Sequence, residues 1–430
     1  MLWILYNSIF TIGYLAMLPY FIFRMCRRGG YLKGFMQRFC VFKPNEIAEI
    51  RERRRIWIHA VSVGEVKVAF KFMETYRAAE PDAAFFLTTT TSTAHALAGA
   101  KIRRPDFMAY FPVDFPFVMR REFDLVRPTS LMLVEGELWP NMIRFAAGRG
   151  IPVFLVNGRV SEKSARGYGR ARMFFKCAIN MFQLLCVQSD QDAVRLKLLG
   201  AAPDLIRITG SAKYDEAGSG MAPSETARAA LDAAGMGREH MIILGGSTWP
   251  GEEAILLDIF KRLRAHFPLA KLVLVPRHAE RAAAVESEIR RTGLSCARRK
   301  NLCDCKQPSL AVDVLLVDTT GELTGFYSWA GVVFVGKSLT KHGGQNIIEP
   351  AVLSKPVLIG PNMENFSGIV ADFIAEDAVL QVNNAGELET ALRCLLSDSS
   401  RREALGRNAA RTVEIHRGAI AKTVSFVREA

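Results

Sequence analysis

Acidic side chains are under-represented: 43 Asp and Glu stand against 56 Lys and Arg, a formal net charge of +13. An excess of that size calls for an anionic partner: phosphate, lipid headgroup or nucleic acid. Where the charge falls argues against nucleic acid. Such a face interleaves basic with aromatic residues, whereas residues 1–55 hold ten basic and three acidic side chains, +7 of the total, beside an apolar run. A disulfide framework is lacking, and the eight cysteines suit a reducing compartment. Cys296, Cys303 and Cys305 cluster in a basic loop, but no second knuckle or nearby His completes a zinc site. No Asp-x-Asp pair closes a strand as a metal site requires. Asp304 and Asp313 stand isolated. Half of the residues are hydrophobic and 23% are charged, which excludes global disorder, and the pattern fits neither collagen nor coiled coil. A single core rarely grows beyond about 250–300 residues, so 430 residues predict two domains.

Leu2 to Phe23 is the most hydrophobic stretch and carries no charge. As a helix it reaches about 33 Å, enough for a hydrocarbon core of about 30 Å. A signal peptide needs basic residues before the run and a small-residue cleavage site after it. Neither is present. Arg24, Arg27, Arg28, Lys33 and Arg38 follow the run, which places the body of the protein on the cytoplasmic side. Asn7, Ser8, Thr11 and Pro19 soften the span, so spanning and lying in the interface both stay open.

Short apolar runs alternate with longer amphipathic ones. Strands are predicted at 56–61, 83–88, 107–111, 131–134, 152–156, 184–187 and 206–209, with helices between them. Residues 214–240 break the pattern as a connector with a short helix. Strands resume at 241–246, 270–275, 312–317, 332–335 and 357–359, and the tail from about 398 is helical and basic. Such alternation gives parallel sheets with helices on both faces. The predicted organisation is an anchor at 1–28, a doubly wound α/β domain at 29–213, a linker at 214–240 and a second doubly wound domain at 241–430. Both domains should bind ligand at the carboxyl ends of their strands, across a shared cleft.

Several strand ends carry chemistry-bearing residues. Ser62-Val63-Gly64-Glu65 places Glu65 in the first turn of a helix, either as a capping carboxylate or as a base that removes a hydroxyl proton. Glu135-Gly136-Glu137 follows another strand, and in an extended turn the two carboxylates point the same way. The stretch 157–170 carries Arg159, Lys163, Arg166 and Arg170 with Ser161 and Ser164, either a patch for a phosphorylated partner or a solvated helix face. Lys213 closes Gly210–Lys213, where it can pair with a phosphate or a carboxylate.

The second half reads as a nucleotide site. Gly245-Gly246-Ser247-Thr248 is expected to turn from strand to helix and leave N–H groups free for phosphate. Pro276-Arg277-His278 puts a guanidinium at a strand end, and Asp318-Thr319-Thr320 leads into Gly321-Glu322-Leu323. His342-Gly343-Gly344-Gln345-Asn346 opens a helix bearing Glu349, which is placed to accept hydrogen bonds from a ribose diol.

This set of motifs resembles the 3-deoxy-D-manno-octulosonic acid (Kdo) transferase family of lipopolysaccharide synthesis. The matching stretches are HAVSVGE at 59–65, EGELWPN at 135–141, NGRVSEKS at 157–164, Gln188-Ser189 with Asp192, Gly210–Lys213, GGSTW at 245–249, Pro276-Arg277-His278, DTTGEL at 318–323 and KSLTKHGGQNIIEP at 337–350. The resemblance implies a GT-B fold, two Rossmann-like domains facing across a cleft. It implies CMP-Kdo as donor, a phosphorylated lipid A precursor (lipid IVA) as acceptor, and work on the cytoplasmic face of the inner membrane beside its anionic surface. It matches Glu65 to the general base and Glu135 and Lys213 to transition-state stabilisation. Pro276, Arg277, Gly321, Glu322, Leu323, Asn346, Ile347, Ile348 and Glu349 match the CMP-binding segments. Arg159, Ser161 and Lys163 are the candidate acceptor contacts. Gly136 stands where many members carry a hydroxylated residue. No cofactor and no metal is implied, and a monophosphate leaving group has less need of a divalent ion than a diphosphate. The expected reaction is a single-displacement, inverting transfer. The alternative reading is another membrane-associated GT-B transferase that takes a UDP-sugar.

Overall fold

The computed structural model describes residues 2–28, 34–169, 171–216, 223–302 and 311–430, with the side chains of 21–28 and 162–163 outside the description. Arg170, Cys303 and Cys305 lie outside the described residues, as does the side chain of Lys163. The chain divides into two units, one of residues 1–216 with 417–430 and one of residues 217–416.

Unit 1 contains β1 (Ile56–Ala60), β2 (Phe85–Thr89), β3 (Phe107–Tyr110), β4 (Leu131–Val134), β5 (Val153–Gly158), β6 (Leu184–Val187) and β7 (Ile206–Ile208). They form one sheet in the order β3-β2-β1-β4-β5-β6-β7, all neighbours parallel. The strands are continuous apolar runs because both faces are covered. Alternate residues feed two separate cores. Trp57, Phe86 and Leu133 face one side, and Ile58, Phe85, Leu87 and Met132 face the other.

The second core explains a correction. The sequence places all of 241–430 in the second domain, but residues 417–430 return to unit 1. Helix Ala419–Glu429 packs on helix Val63–Ala79 and β5 and adds Ile420, Val424 and Val427 to the core that holds Val66, Ala69 and Phe85. Asp215 fixes its start by accepting the N–H groups of Gly418 (2.6 Å) and Ile420 (2.7 Å). The expected linker at 214–240 is also shorter than read: Lys213–Glu216 closes unit 1, and helix Glu225–Ala233 already belongs to unit 2.

Unit 2 contains β8 (Met241–Thr248), β9 (Ala270–Pro276), β10 (Cys296–Arg298), β11 (Val314–Leu316), β12 (Val332–Val335), β13 (Val357–Ile359) and β14 (Leu380–Gln381). Its sheet runs β10-β11-β9-β8-β12-β13-β14, again parallel throughout. The first sheet reverses order once, between β1 and β4; the second reverses between β8 and β12 and also inserts β11 between β9 and β10. Ligands of doubly wound sheets bind outside the carboxyl ends at such a reversal.

Candidate active site

At the reversal in unit 1, β1 runs into Ser62, whose hydroxyl accepts the Glu65 N–H at 3.3 Å and so caps helix Val63–Ala79. The Glu65 carboxylate turns back and accepts the Val61 N–H at 2.8 Å through Oε2. Glu65 is therefore buried and oriented by capping. This is the arrangement that the capping reading expects.

β4 ends at Glu135, which adopts φ 63°, a left-handed conformation unusual for a side-chain-bearing residue. The turn is thus tight rather than extended as the sequence suggests. Asn157, at φ 55° near the end of the neighbouring β5, faces it. Its Nδ2 donates to Glu135 Oε1 at 3.4 Å, and its Oδ1 accepts the Ala212 N–H at 2.9 Å. Lys213 follows Ala212 at once. A Cβ at Gly136 would stand 3.3 Å from the Arg159 carbonyl oxygen, so the tight turn favours glycine there.

Burial and mutual charge shape the titration of this group. Burial raises the Glu135 carboxyl, Glu65 adds to the rise, and Lys213 and Arg159 oppose it. Burial pushes Glu137 up to about 7, with Glu65 and then Glu135 adding repulsion while the neighbouring Trp139 indole works against them. Burial lowers the Lys213 ammonium while Glu135 holds it up. Glu65, Glu135, Glu137, Lys213 and Arg159 thus form one electrostatic group.

The other acceptor-side expectations separate. The Ser161 hydroxyl meets Ser164 Oγ at 2.8 Å and accepts the Ser164 N–H at 3.0 Å, so it caps helix Glu162–Gly169. Asp190 and Asp192 have the spacing of a metal pair, but Asp192 accepts the Val160 N–H (2.9 Å) and the Ser189 hydroxyl (2.6 Å).

Unit 2 brings its motifs into two clusters. Arg277 follows β9, is exposed, and donates its N–H to the Thr248 carbonyl at 3.1 Å. Trp249 stands beside His278 with ring centroids 5.3 Å apart, and Lys337 lies 4.8 Å over the Trp249 ring. The second cluster joins Thr324, Asn346 and Glu349, with Glu322 two residues before Thr324. Asn346 Nδ2 donates to Glu349 Oε1 at 3.2 Å, and Thr324 Oγ1 reaches Glu349 Oε2 at 3.5 Å. Glu322 accepts from Thr319 and pairs with Arg299 at 2.9 Å. Exposed Gly321 has φ 88°, and Leu323 opens helix Leu323–Tyr327. Ile347 and Ile348 are fully buried and present no exposed surface.

Two features differ from the sequence reading. Gly245 to Thr248 lie within β8 rather than in a turn. A Cβ at Gly246 would come within 2.5 Å of the Tyr327 hydroxyl, so glycine there serves close packing. The loop N–H groups are also not all free. Fully buried Glu252 accepts from Trp249 (2.8 Å), Lys337 (2.8 Å), Ser338 (3.0 Å) and Leu339 (3.0 Å). Neither Glu252 nor Asn157 was assigned a role from the sequence. The signal for Glu252 is its position in the first turn after the GGSTW strand end.

The family described as 3-deoxy-D-manno-octulosonic-acid transferase (kdotransferase) matches residues 33–216. The 3-deoxy-D-manno-octulosonic acid transferase of Bordetella pertussis is 34% identical over 383 residues, covering 87% of both chains. That of Haemophilus influenzae is 31% identical over 376 residues, 87% of this chain and 86% of its own. The chain belongs to the Kdo transferase family. It is a glycosyltransferase. Among solved structures, the UDP-GlcNAc 2-epimerase of Neisseria meningitidis aligns with a TM-score of 0.58 at 13% identity, covering 86% of this chain and all of its own. That likeness concerns the fold alone, which is GT-B-like.

Proposed function

We propose that this Kdo transferase moves Kdo from CMP-Kdo to a hydroxyl of the phosphorylated lipid A precursor, lipid IVA, at the cytoplasmic face of the inner membrane. Glu65 takes the acceptor proton as the hydroxyl oxygen bonds to the anomeric carbon. The bond from that carbon to the phosphate oxygen breaks, and CMP leaves with the electron pair. A neutral hydroxyl is a poor nucleophile, so the carboxylate acts as the bond forms. Glu135 and Lys213 stabilise the charge that develops. Arg159 contributes to acceptor recognition, and Lys163 extends the basic stretch. In unit 2, Pro276, Arg277, the Gly321-Glu322-Leu323 turn and the 346–349 segment hold CMP, with Glu349 toward the ribose.

The observation that carries this reading is the grouping of Glu65, Glu135, Glu137 and Lys213 at the carboxyl edge of the first sheet, where its strand order reverses. The test is a mass measurement of product from purified enzyme, CMP-Kdo and lipid IVA. Glu65→Gln should lower transfer by about 10²–10⁴ while calorimetry shows unchanged CMP binding. Full transfer by Glu65→Gln would remove the base assignment. Tight UDP binding without a CMP response would replace the donor.

A further inference from the structure

Helix Leu2–Arg28 meets the rest of unit 1 along one stripe, Trp3, Tyr6, Asn7, Phe10 and Tyr14, whose spacing is one face of a helix. Part of the contact is polar. The Tyr6 hydroxyl donates to Asp114 Oδ2 at 2.8 Å, and Asn141 Nδ2 donates to Asn7 Oδ1 at 2.7 Å. Asp114 is buried and also accepts the N–H groups of Asn141 and Met142, at 3.0 and 2.9 Å. The rest is aromatic. Trp3 packs against Phe174 with centroids 5.4 Å apart, and Phe10 and Tyr14 meet the edge of Phe115 at 5.3 and 5.2 Å.

The opposite face is apolar and bare: Ile4, Leu5, Ile9, Ile12 and Leu15 are 56–72% exposed. Phe117 and Met173 extend it from the segments that hold Phe115 and Phe174, at 59% and 76% exposure. Exposed arginines stand beside them, Arg120 and Arg121 after Phe117 and Arg172 before Met173. A continuous apolar face bordered by cations matches an anionic lipid surface.

Length decides between crossing the bilayer and lying in it. Trp3 to Tyr14 takes about 17 Å of helix at about 1.5 Å per residue, all held against the body of unit 1. From Tyr14 to Arg28 about 21 Å remain, short of a hydrocarbon core of about 30 Å. Crossing would break both polar contacts and strip buried Asp114 of a donor.

We infer that the amino-terminal helix does not span the membrane but lies in the plane of the cytoplasmic leaflet, docked on unit 1, with its outer face, Phe117 and Met173 among the acyl chains. This rests on the membrane reading given under Proposed function. Both ends of the helix then stay on the side of the catalytic units.

The test uses the full chain with a short peptide epitope at its amino terminus, in sealed inside-out inner-membrane vesicles treated with protease. The inference expects the epitope to be lost as fast without detergent as with it. An epitope that survives until detergent is added overturns the in-plane placement. Unaltered protein found outside the membrane fraction overturns the membrane reading itself. Oxidation of Phe10→Cys with Phe115→Cys in the same vesicles should give an intramolecular disulfide absent from either single variant, and its absence overturns docking. Ile9→Glu with Ile12→Glu should lower the membrane-to-soluble ratio at least tenfold and leave CMP binding unchanged. A ratio that does not move overturns the lipid-facing assignment.

Discussion

Asn157 holds Glu135 by its side chain, Nδ2 to Oε1 at 3.4 Å, while both residues sit in left-handed backbone at φ 55° and 63°. The same side chain accepts the Ala212 N–H one residue before Lys213. One amide thereby sets the separation of the anionic and cationic members of the group. Asn157→Ala should lose that spacing and suffer a left-handed penalty of about 1–2 kcal/mol. Asn157→Gly removes the penalty but not the loss of spacing. Both variants should fall at least tenfold in kcat with CMP affinity unchanged, and only the alanine variant should fall clearly in denaturant midpoint. Normal turnover in the glycine variant would show that the amide does not position the site.

Glu137 gives the reaction a pH signature. Its carboxyl is raised to about 7 by burial, with the charges of Glu65 and Glu135 adding to the rise. Glu137 therefore changes charge within the neutral range, and kcat/KM should vary with pH there as its carboxylate forms. Glu137→Gln removes that titration. The neutral-range limb of kcat/KM should flatten in the variant, measured as initial rates across pH 5–8.5, and an unchanged profile would separate Glu137 from the reaction.

Stability should carry its own pH dependence through Glu122. This fully buried carboxyl is raised by burial from an ordinary 4.5 to about 8, opposed by the nearby Cys40 thiol. The folded state therefore binds a proton that the unfolded state releases between those values, and stability falls as pH rises from about 4.5 to 8. Glu122→Gln should flatten that slope, so that denaturant midpoints of variant and parent diverge in the variant's favour toward pH 8.

Glu252 links the loops after β8 and β12. Its carboxylate accepts four backbone N–H groups, one after β8 and three after β12. Glu252→Gln replaces one acceptor oxygen with a donor and leaves buried N–H groups unsatisfied, at about 1–3 kcal/mol each. CMP binding by calorimetry should weaken at least tenfold with little change of volume at the position. Unchanged affinity would separate these loops from nucleotide binding.

What the sequence reveals follows from where each signal is stored. Runs such as Leu131–Val134 are buried on both faces, so their apolar continuity alone announces a parallel strand. Cys296-Ala297-Arg298 and Leu380-Gln381 also pair in the second sheet, but they are short edge strands whose residues read as loop. Arg298 and Arg299 nonetheless brace the 318–323 turn through Asp318 at 2.8 Å and Glu322 at 2.9 Å. Glu65 is legible because Ser-Val-Gly-Glu after a strand is a helix-start pattern with a carboxylate in the first turn. Its grouping with Glu135, and through Glu135 with Lys213, is not, because 148 positions separate Glu65 from Lys213 and only the sheet order joins them. The amphipathic spacing of Ile420, Val424 and Val427 is visible, yet nothing local says which core receives it.

That last helix bears on how the protein is made. The chain leaves unit 1 at Glu216 and re-enters it at Arg417. The first unit to leave the ribosome is therefore the last to be completed, and until residues 420–427 are synthesised the core they share with Val66 and Ala69 of helix Val63–Ala79 stays incomplete. A frameshift late in the gene, downstream of every residue assigned to chemistry, would spare the second unit and open the hydrophobic interior of the first.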